Sequence, residues 1–180
     1  MPKIVEELHY DGARERIERL GLDPLYQELR GILTGFILHV EERRDANGGA
    51  AVRRLIDARF PSSWENVQTG DIDWTKCHIV NGTRVCLGVE IQMSARSDLV
   101  VIDVIHLRRA LETGQIDVGL LVVPSDRLGV FLTDRGPRMS DAKRHVREAR
   151  AEDLPLVLIA LEHDGSGPAL AKQVKRVRKK

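Results

Sequence analysis

Cysteine is scarce in this sequence, which contains two cysteines among 180 residues. Two are too few for the disulfide framework of a small secreted domain. The sequence also lacks any apolar run of the ~18–20 residues that a membrane span requires. Residues 1–12 lack the apolar core of a signal peptide. We therefore expect a soluble cytoplasmic protein with reduced thiols.

Neither sign of charge is in excess. The chain has 28 basic and 27 acidic residues, and 42% of its residues are apolar. This balance excludes a uniformly basic coat protein and an acidic disordered tail. The length suits one globular domain, since most domains have ~50–200 residues. At the end of the chain, residues 172–180 include six basic side chains. They could contact phosphates or form a solvated end.

The first sixty residues are predicted to be helical. The apolar residues at helical spacing among the first charges are Ile4, Leu8, Ile17 and Leu20. A second helix is predicted to begin at Asp23 and Pro24, because Asp caps helices and Pro fits the first turn. It continues to the charged residues 41–44, and a third helix covers 50–60.

The spacing then changes to that of strands. Residues 71–80 and 83–93 indicate two strands around Asn81-Gly82, because a type I′ hairpin turn needs positive φ at both central positions. The later predictions are a helix at 98–111, a strand at 116–123, a short edge strand at 130–133, a helix at 140–151 and a strand at 156–161. This order predicts an α/β fold with a mixed central sheet flanked by helices.

The hairpin turn determines which residues face one another. With Asn81 and Gly82 in the turn, Asp73 opposes Glu90 across the ladder. Alternation then places eight residues on one face: Asp71, Asp73, Thr75, Cys77, Cys86, Gly88, Glu90 and Gln92. The other face is predicted to be the core face, and it carries Ile72, Trp74, Val80, Val85, Leu87, Val89, Ile91 and Met93. A slip of one residue would exchange the two faces.

The opposed carboxylates are the chemical signal in this hairpin. They repel each other unless a cation bridges them, and oxygen ligands suit Mg²⁺. Such an ion can bind a phosphate oxygen and activate a water for attack. The alternative is a solvated polar face that only keeps the hairpin soluble. Cys77 and Cys86 are close enough in this register for a disulfide, but two packed thiols are expected in a cytoplasmic protein.

Asp73, followed on the next strand by Glu90-Ile91-Gln92, resembles the PD-(D/E)xK nuclease signature. Glutamine at the position of the usual lysine is a feature of the BglII and BstYI restriction endonucleases. Residues 114–125 also resemble the strand region that follows the catalytic helix in that family. The resemblance covers roughly residues 71–164, and it implies a restriction-endonuclease-like core. One nuclease domain would then span 1–170, with a helical part at 1–60, a catalytic core at 61–165 and a basic tail at 171–180.

The resemblance implies a homodimeric type II restriction endonuclease that hydrolyses double-stranded DNA with Mg²⁺, for which Mn²⁺ can substitute. Asp73 and Glu90 would be metal ligands, and Gln92 would position the attacking water or a phosphate oxygen. The separation of Asp73 and Glu90 is wider than expected for BglII, so Asp71 stays open as the first ligand. The accessory upstream residue would be Glu65 or Asn66.

Candidate DNA contacts lie beyond the two strands of the hairpin. Ser94, Arg96 and Ser97 follow Gln92 and are candidates for contacting phosphate near the cut. The loop after the buried strand contains Arg135 and Arg138, which can donate to guanine in the major groove.

Three other functions are weighed against a restriction endonuclease. One is a structure-specific repair or recombination nuclease, and another is a non-catalytic DNA-binding protein of the same fold. A small-molecule enzyme is least favoured, because no Gly-rich phosphate loop accompanies the carboxylates.

Overall fold

The computed structural model describes residues 1–66, 72–94, 99–133 and 136–172. Its strands are β1 (Lys3–His9), β2 (His39–Val40), β3 (Glu65–Asn66), β4 (Trp74–Val80), β5 (Thr83–Ile91), β6 (Val118–Pro124), β7 (Leu156–Glu162) and β8 (Gly165–Ser166). Its helices are α1 (Ala13–Arg19), α2 (Asp23–Thr34), α3 (Gly49–Asp57), α4 (Val100–Glu112), α5 (Asp126–Phe131) and α6 (Met139–Glu148). None of the helices within these ranges is long and apolar enough to cross a membrane.

The central sheet has six strands in the order β1-β7-β6-β5-β4-β3. Strands β5, β6 and β7 run parallel, while β1, β4 and β3 pair antiparallel with their neighbours. A separate parallel pair joins β2 to β8. The fold is therefore α/β with a mixed sheet, as the order of predicted elements indicated.

Helices cover both faces of the sheet. Apolar residues of α1, α2 and α3 pack on one face, and those of α4 and α6 pack on the other. Both sides of the parallel strands are buried, so β6 and β7 are nearly continuous apolar runs. Within β6, Leu120 and Val122 face the first layer, whereas Leu121 and Val123 face the second.

The hairpin was predicted correctly from its turn. Asn81 has a φ of 50° and Gly82 a φ of 80°, as a type I′ turn requires. The observed ladder pairs Val80 with Thr83 and extends to Trp74 and Val89. One residue of the predicted core face lies elsewhere: Ile72 precedes β4 and packs in the layer under α4, not beside Trp74.

The helical prediction for the first residues is wrong. Residues 3–9 form β1, which pairs antiparallel with β7 at the edge of the sheet. The open side of β7 offers a ladder of backbone partners, and the neighbouring β-branched Ile4 and Val5 suit a strand. Tertiary pairing therefore overrides the local helical spacing.

Three predicted boundaries also differ. Helix α2 begins at Asp23 as expected but ends at Thr34, and β2 follows where the helix was expected to continue. The edge strand expected at 130–133 is instead the end of α5, with an isolated bridge from Leu132 to Asn47. Helix α6 covers Met139–Glu148, so it begins one residue earlier and ends three residues earlier than the predicted helix.

The cysteines are joined, contrary to the expectation of reduced thiols. Cys77 on β4 and Cys86 on β5 are directly opposed and form a disulfide. The bond closes a loop with a sequence separation of 9 around the hairpin turn. It therefore ties the two strands in the register that sets Asp73 against Glu90.

A glycine pair lets α4 approach the sheet. Gly88 on β5 is paired with Gly119 on β6. A Cβ atom at Gly88 would lie 2.7 Å from Cδ1 of Ile116, and one at Gly119 would lie 3.3 Å from Leu107 of α4. Side chains at these two positions would push the covering layer away from the strands.

We expect Gly88→Ala to lower the free energy of unfolding by about 1–3 kcal/mol, because it overpacks this layer. The measurement is urea denaturation of the wild type and the variant. Ile116→Val removes the nearest methyl group, so the double variant should recover part of the loss. Equal losses in Gly88→Ala with and without Ile116→Val would contradict this explanation.

Candidate active site

The side chain of Asp73 is fixed against the end of β5. Its Oδ2 accepts a hydrogen bond from the backbone N–H of Ile91 at 2.8 Å and another from Nη1 of Arg53 at 2.9 Å. The same nitrogen of Arg53 donates to the carbonyl of Ile91 at 2.6 Å. Asp73 directly precedes β4, and its carboxylate extends the contact between the two hairpin strands beyond their backbone ladder.

Arg53 connects this carboxylate to α3. Its Nε donates to both carboxylate oxygens of Asp57 at 2.8 Å, and the indole of Trp74 donates to Asp57 Oδ1 at 3.0 Å. Burial of Arg53 opposes its charge, but the hydrogen bonds that it donates to Asp73 and Asp57 outweigh this effect and raise the pKa of Arg53. A firmly charged guanidinium therefore holds Asp73 in place.

Glu90 lies on β5 and is 4% exposed. Burial is the main cause that raises its pKa to about 10, and the nearby charge of Asp73, which also shares a hydrogen bond with Glu90, adds to the shift. The predicted alternative of a solvated acidic face is therefore wrong at Glu90, because α4 covers this side of β5.

Helix α4 places two polar side chains, those of Asp103 and His106, beside Glu90. Nδ1 of His106 lies 3.2 Å from Oε1 of Glu90. Burial, followed by the charge of Asp73, raises the pKa of Asp103 to about 7, while a hydrogen bond from Gln92 opposes the shift. One ligand atom each from Glu90, Asp103 and His106 lie within 4.8 Å of one another.

Two of the three residues predicted to act together are in direct side-chain contact, and the third reaches them, among the described residues, only through Asp103. Asp73 contacts Glu90, and Gln92 contacts Asp103 beside it. Three residues of the site were not predicted from the sequence: Asp103, His106 and Arg53. The signal for the first two was their spacing of three residues within a predicted helix, which places both on one side.

The accessory and DNA-contact predictions have mixed outcomes. Glu65 and Asn66 form β3, where both are exposed. Within the described ranges no hydrogen bond or ion pair joins either of them to the carboxylates. Ser94 and Arg138 are half-buried, and Arg138 is the N-cap residue of α6. The remaining candidates lie outside the described residues: Asp71, Arg96, Ser97 and Arg135.

The grouped carboxylates fit a divalent cation. Oδ2 of Asp103 is buried and has no hydrogen-bond partner among the described residues. Carboxylates that are desolvated and close together repel one another, and a cation removes that penalty. Carboxylate oxygens are the ligands that Mg²⁺ and Mn²⁺ sites use.

We expect Asp103→Asn to stabilise the metal-free protein. The pKa of Asp103 is higher in the folded protein than in the unfolded chain, so stability falls as pH rises from about 4 to 7. The neutral amide removes that loss. In EDTA at pH 8 the variant should melt several degrees above the wild type, by thermal denaturation.

The difference in melting temperature should shrink at pH 5, where most of the charge penalty has not yet developed. Asp141→Asn on α6 is the control, because that carboxylate lies outside the cluster. A lower melting temperature for Asp103→Asn than for the wild type at pH 8 would contradict the repulsion that we describe.

Comparison with known proteins gives one family. The family model of the restriction endonuclease BglII/BglIII matches residues 5–161. The matched range contains α3, the hairpin and α4, and therefore every element that contributes a side chain to the site. No curated protein sequence matches the chain significantly.

Proposed function

The chain belongs to the restriction endonuclease BglII/BglIII family, and from that premise we propose that it is a type II restriction endonuclease. Its partner is DNA, and its reaction is the sequence-specific hydrolysis of phosphodiester bonds in the double strand. The observation that carries this proposal is the meeting of Asp73, Glu90 and Gln92 at one end of β5.

The proposed cofactor is Mg²⁺, for which Mn²⁺ can substitute, and Asp73 and Glu90 would hold it. A bound ion of this kind supplies positive charge to a phosphate oxygen and lowers the pKa of a water. Oδ2 of Asp73 already accepts hydrogen bonds from Arg53 and Ile91, so its Oδ1 is the oxygen left for a cation. Arg53 thereby occupies one of the two carboxylate oxygens of Asp73.

Gln92 has the proposed role of orienting the attacking water or a phosphate oxygen. Its side chain contacts Asp103, and its backbone N–H donates to the carbonyl of Val122 on β6. These contacts hold the amide beside the carboxylates. An amide offers both a donor and an acceptor and stays neutral, so it can orient a water without changing the charge of the site.

The proposed DNA contacts extend from this end of the sheet. Ser94 lies two residues after Gln92, and Arg138 is the N-cap residue of α6. Arg96, Ser97 and Arg135 complete the set as predictions from the sequence. Arginines in the major groove would supply base recognition, whereas a serine near the site would bind phosphate.

We further propose a homodimer, because one chain provides one site and a palindrome is cut in two strands. The apolar face of α2 is buried in the core of its own chain and is therefore not available as the interface. Sedimentation should give twice the mass of the chain. A monomer both free and on DNA would contradict the proposal.

The test of function is Glu90→Gln, which keeps the shape of the side chain and removes its charge. Incubation of the wild type with unmodified phage DNA and Mg²⁺ should give discrete fragments, and EDTA should abolish them. The variant should cleave more than about 100-fold more slowly, the scale of losing one electrostatic contact to a transition state. Fragment yield over time on gels measures this.

Glu112→Gln is the matched control, because Glu112 is an exposed carboxylate at the end of α4. It should cleave like the wild type. Undiminished cleavage by Glu90→Gln would contradict the site. Binding of DNA by the wild type without cleavage would favour a non-catalytic binding protein, and preferential cutting of branched DNA would favour a repair nuclease.

A further inference from the structure

The side of α4 that faces the sheet carries polar groups among apolar ones. Val100, Val104 and Leu107 are fully buried and pack on the strands. Asp103 and His106 belong to the same helix, three residues apart, and both approach Glu90. Placing a carboxylate and an imidazole beside a buried carboxylate is costly unless they share a partner.

The spacing of the three ligand atoms suits one ion. Oε of Glu90, Oδ of Asp103 and a ring nitrogen of His106 lie within 4.8 Å of one another. Opposite ligands of an octahedral ion with bonds of ~2.1 Å stand ~4.2 Å apart, so small side-chain movements close the site. The buried Oδ2 of Asp103, which has no partner among the described residues, is an available donor atom.

We propose that α4 supplies Asp103 and His106 as ligands to the same divalent cation that Glu90 binds. The metal centre is then built by the hairpin and the helix together, and it includes one nitrogen ligand. This inference rests on the proposed function for the presence of a cation, and it adds ligands that lie outside the Asp73, Glu90 and Gln92 pattern.

A nitrogen ligand changes which ion the site prefers. Imidazole binds transition metals well, whereas Mg²⁺ prefers oxygen ligands. The site should therefore bind Mn²⁺ more tightly than Mg²⁺, and removal of the imidazole should reduce this difference. The competing role for His106 is to orient Glu90 through their hydrogen bond without contacting the metal.

Pulsed electron paramagnetic resonance of the Mn²⁺-loaded full chain distinguishes these roles. Coordination by His106 gives the Mn²⁺ signal a nitrogen coupling, which His106→Gln should abolish. Calorimetry should show at least ~10-fold weaker Mn²⁺ binding for His106→Gln and for Asp103→Asn. Mg²⁺ affinity should change less in His106→Gln than Mn²⁺ affinity does. His39→Gln, at a half-exposed histidine of β2, is the control and should change neither quantity.

A wild-type protein that binds no Mn²⁺, or binds it without nitrogen coupling, overturns the inference. Unchanged Mn²⁺ affinity in Asp103→Asn removes Asp103 from the ligand set and overturns it too. Cleavage of phage DNA is measured in parallel. Nitrogen coupling without cleavage supports the metal centre and counts against the nuclease, whereas Mg²⁺-dependent cleavage without coupling overturns the ligand assignment alone.

Discussion

The burial of Glu90 is the constraint on which the rest of the site depends. A carboxyl group that is only 4% exposed must be neutral or paired with a cation, because an unpaired charge at that position destabilises the folded protein. Asp73 and Asp103 add to that destabilisation because they are also acidic. Arg53 relieves it only in part because it is engaged by Asp73 and Asp57, and His106 offers one hydrogen-bond contact. The sheet and its two helical layers supply the apolar burial that holds this arrangement together. Stability is thus given up locally, and a bound cation would restore it.

The parts of the site that are close in sequence could be predicted from it. The turn at Asn81 and Gly82 sets the register, and the register sets Asp73 against Glu90. Gln92 follows by the alternation of a strand. The buried strands β6 and β7 were found from their continuous apolar runs, because a strand covered on both faces needs no polar side.

The remaining parts depend on contacts between distant segments. Arg53 reaches Asp73 only because α3 packs beside the hairpin, and nothing in the spacing of α3 distinguishes Arg53 from its arginine neighbours. His106 meets Glu90 because α4 packs closely on the sheet, where Gly119 of β6 leaves room for Leu107 of α4. Residues 4–20 do carry apolar residues at helical spacing, but residues 3–9 pair with the open edge of β7 and form β1 instead.

The pairing of β1 with β7 has a consequence for how the chain is made. Residue 3 pairs with residue 162, so β1 leaves the ribosome long before the strand that pairs with it has been synthesised. The hairpin can close long before that, since its ladder joins neighbouring segments. An unpaired strand with an exposed edge is a site of association between chains. When several ribosomes translate one message, β1 is therefore exposed to other nascent copies until β7 has been synthesised.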